Sequence, residues 1–354
     1  MTNNYFGIKI GSVNIQSGKE MLGGSKMYTV CREISKRNIH ICGLQEVRYR
    51  NSGKKVIDLD NGESYTFMWS GPKKRRLAGV GLLIKNCKEI SFDDPDFLDL
   101  RIIAVNIMIN GFKLRLINSY SPTNCDGSDI QKDLFYRMLK KACTKHNKHQ
   151  KLVILGDFNA TTSISLHQSY FDGKNVVEDP NCNDNGSRIK SFCREKQLCM
   201  SQTFFDHPIE ERYTWESPNK NTKKVLDYIL VEPYIQNFVS DCYVDQKITF
   251  ETDHHLVLAE ISLPITKKSR RIYCKPTTPT KVNIKALHEQ ETKLNFLPEI
   301  TKGIRINKRE KTIFQHHVLI NIMTKAADVT LPKLDKKNIK KELWKMDKQL
   351  NELL

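Results

Sequence analysis

The sequence predicts an α/β fold in four layers, a sandwich of two mixed β-sheets flanked by helices. Short β-rich runs recur along the chain and are separated by helical stretches. Several runs come in hairpin-like pairs, which mixes antiparallel with parallel pairing. Hydrophobic residues make up 39% of the 354 positions, enough to bury the core of one large domain.

Taken in order, the first strand covers 8–13 and runs out into Asn14. A helix near 24–37 leads to a strand at 39–44 that ends in Gln45-Glu46. Strands follow at 79–84, 101–109 and 112–119, the last running into Tyr120-Ser121-Pro122. The run from Arg101 to Ile109 partly alternates, as a half-exposed strand does. Gly79-Val80-Gly81 lies inside an apolar run without a third glycine and reads as strand rather than phosphate loop. A helix over 128–146 precedes a strand at 152–155, which stops at Gly156-Asp157-Phe158-Asn159. A helix over 187–197 starts at Ser187 as N-cap after Gly186. Strands at 225–231 and 256–263 close the domain, the second preceded by Thr252-Asp253-His254-His255. This domain spans 1–264. A basic linker and helical tail, 265–354, follows.

The charge is unevenly spread. Net charge is +17, yet the tail alone holds 21 Lys/Arg against 9 Asp/Glu, and the domain 36 against 31. A basic appendage on a near-balanced body points to a polyanion, with nucleic acid first, or to a solvated tail kept soluble by lysine. Lys275-Pro276-Thr277-Thr278-Pro279-Thr280 reads as linker. Beyond it, Ile339, Leu343, Met346, Leu350 and Leu353 form an a/d stripe on a helix starting near Asp335, still apolar where the sequence stops. Such a helix suits a fragment of a longer polypeptide, or one awaiting a partner. The cluster Lys73-Lys74-Arg75-Arg76 suits DNA phosphates, a nuclear-import patch or a solvated turn. Ten cysteines form no CxxC pair, which argues against a zinc site and for reduced intracellular thiols. No apolar run approaches the ~18 residues of a membrane span, so no membrane partner is expected.

The polar strand ends carry the chemistry. Asp157 and Asn159 stand at i and i+2, so an extended chain would point them to one side. Both offer hard oxygens suited to Mg²⁺. The order Asn14, Glu46, Tyr120, Asp157/Asn159, Asp227 and Asp253/His254 resembles the exonuclease–endonuclease–phosphatase superfamily over roughly residues 5–263. Within it, the apurinic/apyrimidinic-type endonuclease branch is most similar. The resemblance implies a DNase I-like sandwich, a Mg²⁺ cofactor with Mn²⁺ as a substitute, and DNA as partner. It implies Asn14, Glu46, Asp157, Asn159, Asp253 and His254 as the metal and phosphate ligands. Tyr120, Asp157, Asn159, Asp227 and His254 become the catalytic set. His254 can donate to a phosphate oxygen, and Asp227 is the carboxylate to orient its ring. Asp157 is either the base for an attacking water or a shared metal ligand.

One position departs from that branch. Many of its members carry an acid or Asn and then Gly where this chain reads Gln16-Ser17. Divergence here resembles the endonuclease domains of non-LTR retrotransposons, especially RTE-like elements and their craniofacial-development-protein-like relatives. Gly79–Ile84 and Arg212-Tyr213-Thr214-Trp215 add to that likeness. It implies a nuclear enzyme that nicks target DNA, with a reverse transcriptase expected downstream. The rivals are a phosphatase or ribonuclease of the same superfamily, and a domesticated, inactive DNA- or chromatin-binding protein.

Overall fold

The computed structural model describes residues 5–18, 20–21, 24–73, 78–123, 128–144, 149–163, 171, 173–179, 182–265, 294–301, 326–327 and 330. The chain divides into two units, Met1–Ile272 and Tyr273–Leu354. In the second, residues 294–301 are helical. The Pro/Thr run, the a/d stripe and residues 74–76 of the basic cluster lie outside the described residues.

The elements in chain order are β1 (Tyr5–Asn14), β2 (Glu20–Met21), β3 (Gly24–Ser25), α1 (Lys26–Lys36), β4 (Ile41–Gln45), β5 (Ser52–Asp58), β6 (Ser64–Ser70), β7 (Val80–Lys85), β8 (Ile90–Phe92), β9 (Asp96–Asp99), β10 (Ile102–Ile109) and β11 (Phe112–Tyr120). They continue with α2 (Asp129–Thr144), β12 (Lys151–Asp157), α3 (Asp184–Lys196), β13 (Cys199–Met200), β14 (Trp215–Glu216), β15 (Lys223–Lys224), β16 (Asp227–Val231), α4 (Pro233–Gln236), β17 (Val239–Asp245) and β18 (Leu256–Pro264). One seven-stranded sheet has the order β17-β18-β1-β4-β7-β6-β5. The other has the order β13-β16-β12-β11-β10-β8, with β9 also on β10. Both are mixed: β1 pairs parallel to β4 and β11 parallel to β12, while their other neighbours are antiparallel.

Three apolar clusters make four layers. Between the sheets lie Ile8, Ile10, Leu82, Val105, Leu116, Leu155, Ile229 and Val257. Outside the first sheet, α1 presents Met27, Val30, Cys31 and Ile34, spaced three, one and three residues apart, to Cys42, Leu44 and Leu83. Outside the second sheet, Phe135 and Leu139 of α2 and Ile189 and Phe192 of α3 cover Ile117, Ile154 and Leu230. Each such fully buried side chain contributes about 1.5–3 kcal/mol relative to exposure.

Three differences from the sequence expectation have physical causes. Helix α3 begins at Asp184, not Ser187, because the Asn183 side chain accepts from the Gly186 amide at 2.8 Å and caps the helix earlier. Gly186 is inside the helix; a Cβ there would meet the Thr161 carbonyl. Strands β5 and β6 were not expected. β5 is an edge strand with Lys54 and Lys55 exposed, and β6 is buried on both faces, so neither alternates. Strand β17 was also missed, since a bulge between Val239 and Asp241 breaks its two-residue period.

Among the described residues, no helix is long and apolar enough to cross a membrane. Their eight cysteines are all free thiols.

Candidate active site

Strand parity decides which side chains enter the site. In β1, Ile8 and Ile10 face the opposing sheet, and so does Asn14, an even number of residues on. In β12 the same phase runs through Val153 and Leu155 to Asp157. In β16 it joins Ile229 and Val231 to Asp227, and in β11 it joins Leu114 and Leu116 to Tyr120. Cross-strand register then aligns the second sheet's residues. Tyr120 pairs with Asp157, and Asp157 with Asp227. One row of three polar residues therefore ends that sheet, opposite Asn14 at the end of the first.

Asn14 joins the two edges. Its carboxamide Nδ2 donates to Glu46 Oε1 at 3.2 Å and to Asp157 Oδ2 at 3.0 Å. Tyr120 donates its hydroxyl to the same Glu46 oxygen at 2.8 Å. Arg48 pairs with the other Glu46 oxygen at 2.5 Å. Burial alone would raise the Glu46 pKa, but the hydrogen bonds from Arg48, Asn14 and Tyr120 outweigh it and hold the carboxylate below its usual range. Gln16, at the divergent position, donates its backbone N–H to Asn14 Oδ1 at 3.0 Å.

On the other side, His254 Nδ1 lies 2.9 Å from Asp227 Oδ2. Thr214 donates its hydroxyl to that same oxygen at 2.7 Å and accepts the amides of Leu226 and Asp227. His254 Nε2 faces Asp157 Oδ2 at 3.9 Å and Asp253 Oδ1 at 3.8 Å. Trp215 Nε1 donates to the second Asp253 oxygen at 2.9 Å. Burial opposes protonation of His254, yet the charge and hydrogen bond of Asp227, with Asp157 and Asp253 nearby, raise its pKa to about 9. Asp157 is raised to about 7, by burial first and by the Asp227 charge second.

Asn159 sits beside Asp157 for a different reason from the one the sequence suggested. The strand ends at Asp157 and Asn159 turns left-handed, with φ 48°, so the extended-chain argument does not hold. Its amide donates to Asp157 Oδ1 at 2.9 Å and its carboxamide to the Ser121 carbonyl at 3.0 Å. Gln16, Glu46 and Arg48 are also left-handed. For Gln16, Glu46 and Arg48 this region costs on the order of 1–3 kcal/mol each, and less for Asn159, since asparagine tolerates it. His255 stands apart; its amide donates to the Thr214 carbonyl.

A hard divalent cation fits this donor set. Asp157 and Asp227 place carboxylate oxygens within 4.8 Å of each other and of the His254 ring, which can itself ligate only in its unprotonated form. Asp227 Oδ1 and Asp253 Oδ1 are buried without a hydrogen-bond partner among the described residues. Buried carboxylate oxygens are rarely left so unless an ion or water completes them. The donors are oxygen and imidazole nitrogen, with no thiolate among them.

The sequence pattern assigned no site role to Thr214, Trp215, Arg48, Arg101 or the interior pair Gln45 and Asn118. Arg101 lies over the Tyr120 ring at 4.9 Å and donates to the Tyr120 and Ser121 carbonyls. Asn118 donates to the Leu44 and Gly81 carbonyls and accepts from Gln45, tying the sheets together under the site. Gly43 leaves room for it, since a Cβ there would stand 2.7 Å from Asn118 Oδ1.

The model for the Endonuclease/Exonuclease/phosphatase family matches residues 11–254. Craniofacial development protein 2 of Bos taurus is 25% identical over 274 residues, covering 77% of this chain and 43% of that protein. The same protein of Tragulus javanicus is 24% identical over 257 residues, covering 72% and 42%. The chain thus spans less than half the length of the curated relatives it matches. Among solved structures, the 3′-5′ exonuclease NExo from Neisseria meningitidis superposes with a TM-score of 0.51 at 22% identity, covering 72% of this chain and 99% of that one. The AP endonuclease LMAP from Leishmania major gives 0.52 at 12%, covering 73% and 88%. The endonuclease domain of TRAS1, a telomere-specific non-LTR retrotransposon, gives 0.50 at 16%, covering 72% and 98%. At these identities the likeness is one of fold.

Proposed function

The chain belongs to the Endonuclease/Exonuclease/phosphatase family, and from that premise we propose that it is a Mg²⁺-dependent DNA endonuclease that nicks its target and leaves a 3′-hydroxyl able to prime synthesis. The observation that carries this reading is the buried chain Thr214–Asp227–His254, set directly beside Asp157. It sets an imidazole held by a carboxylate beside a second buried carboxylate, a pairing that phosphodiester hydrolysis can use.

Each residue has a distinct task. Asp227 holds the His254 ring through Nδ1, which leaves Nε2 to donate to a non-bridging phosphate oxygen. With its pKa near 9, His254 stays charged at neutral pH and offsets the phosphate's charge. Asp157, beside His254 and the Asp227 carboxylate, is placed to take the proton of an attacking water or to share the cation. Tyr120 and Asn14 keep the Glu46 carboxylate in place, and Tyr120 presents a phenol that burial keeps protonated. Glu46, Asp253, Asn14, Asn159 and Asp157 would hold the cation. When bound, it neutralises the phosphate and stabilises the leaving oxyanion.

A nicking assay on plain and abasic supercoiled DNA tests the reading. Nicked circles should form with Mg²⁺ or Mn²⁺ and not in EDTA, and a polymerase should extend the nick. Hydrolysis of phosphoinositides or poly(A) without any nicking would select the phosphatase or ribonuclease alternative. DNA binding without turnover on any of these would select the domesticated binding protein.

A further inference from the structure

Lysine is among the residues least often buried, yet Lys26, at the first position of α1, keeps only 9% of its surface exposed. Its ammonium reaches two backbone carbonyls from distant parts of the chain, Ile15 O and Glu251 O, each at 2.8 Å. Ile15 directly follows Asn14, and Glu251 stands two residues before Asp253. A second tether joins the same two loops, since Thr252 donates its hydroxyl to the Asn14 carbonyl at 2.7 Å and accepts the His254 amide at 3.2 Å. The loop after β1 is tied on one side to the end of β4, where Ile15 donates its amide to the Gln45 carbonyl and Gly18 to the Val47 carbonyl, so Lys26 and Thr252 supply its links to the 251–254 loop on the other.

We propose that Lys26 is a positioning residue of the active site, a clamp that fixes the end of β1, which carries Asn14, against the loop carrying Asp253 and His254. The Asn14 carboxamide must meet Glu46, which follows β4 of its own sheet, and Asp157 on the second sheet, while His254 meets Asp157 from the other side. Asn14 ends β1, where its ladder partner is Gln45 of β4, while Asp253 and His254 ride on the loop before β18; the β1–β18 ladder between them stops at Ser12 and Val257. A cation shared between two carbonyls supplies charge-assisted hydrogen bonds at that gap, stronger than neutral ones. Lys26 itself lies against backbone and would not touch the substrate. Its placement opposes its own charge, since burial lowers its pKa. A lysine retained there against that cost marks a specific partner rather than filler.

The inference rests on the phosphodiesterase reading for its activity readout, and a second readout is independent of it. Lys26→Met and Lys26→Gln remove the charge at similar length or shorter. Turnover of supercoiled DNA should fall at least about tenfold with KM for DNA changed less than about threefold, because loops displaced by under 1 Å cost chemistry more than binding. Hydrogen exchange at residues 16–18 and 252–254 should accelerate at least about tenfold, while amides of β12 keep wild-type protection. Lys26→Arg, which retains a cation and several donors, should recover part of both. Folded Met and Gln variants with wild-type turnover and wild-type loop exchange would overturn the proposal. So would failure of both to fold, which would make Lys26 a general core residue. An inactive wild-type protein would instead sink the nuclease reading, and the exchange measurement would still decide the clamp.

Discussion

Asp227→Asn is the perturbation whose consequences the geometry specifies most fully. In the wild type, Asp227 Oδ2 accepts from His254 Nδ1 at 2.9 Å and from Thr214 at 2.7 Å. Burial pushes the His254 pKa down, and the Asp227 charge is the largest influence pushing it up, to about 9. An imidazole moved from 6.5 to about 9 prefers its protonated form in the fold by roughly 3 kcal/mol. The folded pKa is raised, so this stability is fully present below pH 6.5 and is lost as pH rises through 9. With asparagine the largest upward influence is removed while burial and the weaker pull of Asp157 and Asp253 remain, and His254 should titrate well below 9. For Asp157 the variant removes two opposed influences together, the Asp227 charge that raises it and the His254 cation that lowers it, so its titration should move less than that of His254. Nitrogen-edited NMR of the imidazole in EDTA reads the first change. Thermal unfolding reads the second: the wild type should exceed the variant more at pH 6 than at pH 10. Nicking with Mg²⁺ should fall at least ~10²-fold, the lower end of what a positioned acid–base group contributes. A variant whose His254 still titrates near 9, or whose turnover stays within about threefold of wild type, would refute the reasoning.

Glu46→Gln should abolish Mg²⁺-dependent nicking while circular dichroism stays unchanged, since Glu46 lies outside the three apolar clusters and gathers Asn14, Tyr120 and Arg48. Asn118→Leu should lower stability by roughly 3 kcal/mol in urea titrations, because it strips partners from the Leu44 and Gly81 carbonyls and from Gln45. Deleting residues 270–354, which hold most of the tail's surplus of 12 positive charges, should flatten the salt dependence of DNA affinity while preserving cleavage at low salt. An unchanged slope in a filter-binding series would show that the tail is not a DNA arm.

The strands that meet at the candidate site were legible because each carries a buried apolar run that begins or ends at a polar residue. Val153, Ile154 and Leu155 before Asp157 make a continuous apolar run, as do Tyr228, Ile229 and Leu230 after Asp227. Edge and bulged strands were not, since their exposed lysines or broken period erase the two-residue signal. Helix α3 was displaced because glycine reads as a breaker while its neighbour Asn183 was the actual cap. The two-sheet architecture followed from the alternation of element types, but which sheet each strand joins depends on pairing between distant segments and is not local information.

The site shows the same division more sharply. Asp157, Asp227 and His254 could be named from strand ends, because a carboxylate or imidazole at the end of an apolar run has a local reason to be noticed. Thr214 and Asn118 have none: a threonine before a tryptophan and an asparagine inside a strand are ordinary sequence. Their importance arises only in three dimensions. Thr214 donates to the carboxylate that holds His254, and Asn118 satisfies two carbonyls of the opposing sheet. Buried polar groups cost free energy unless every partner is present. The interior network of Ser12, Gln45 and Asn118 therefore fixes the offset between the sheets as well as their contact. A shift of one sheet along the other would strand several of these groups at once. That offset sets the distance across which Asn14 reaches Asp157. The polar interior is thus part of how the site is aligned, and substitutions there should alter turnover before they alter the overall fold.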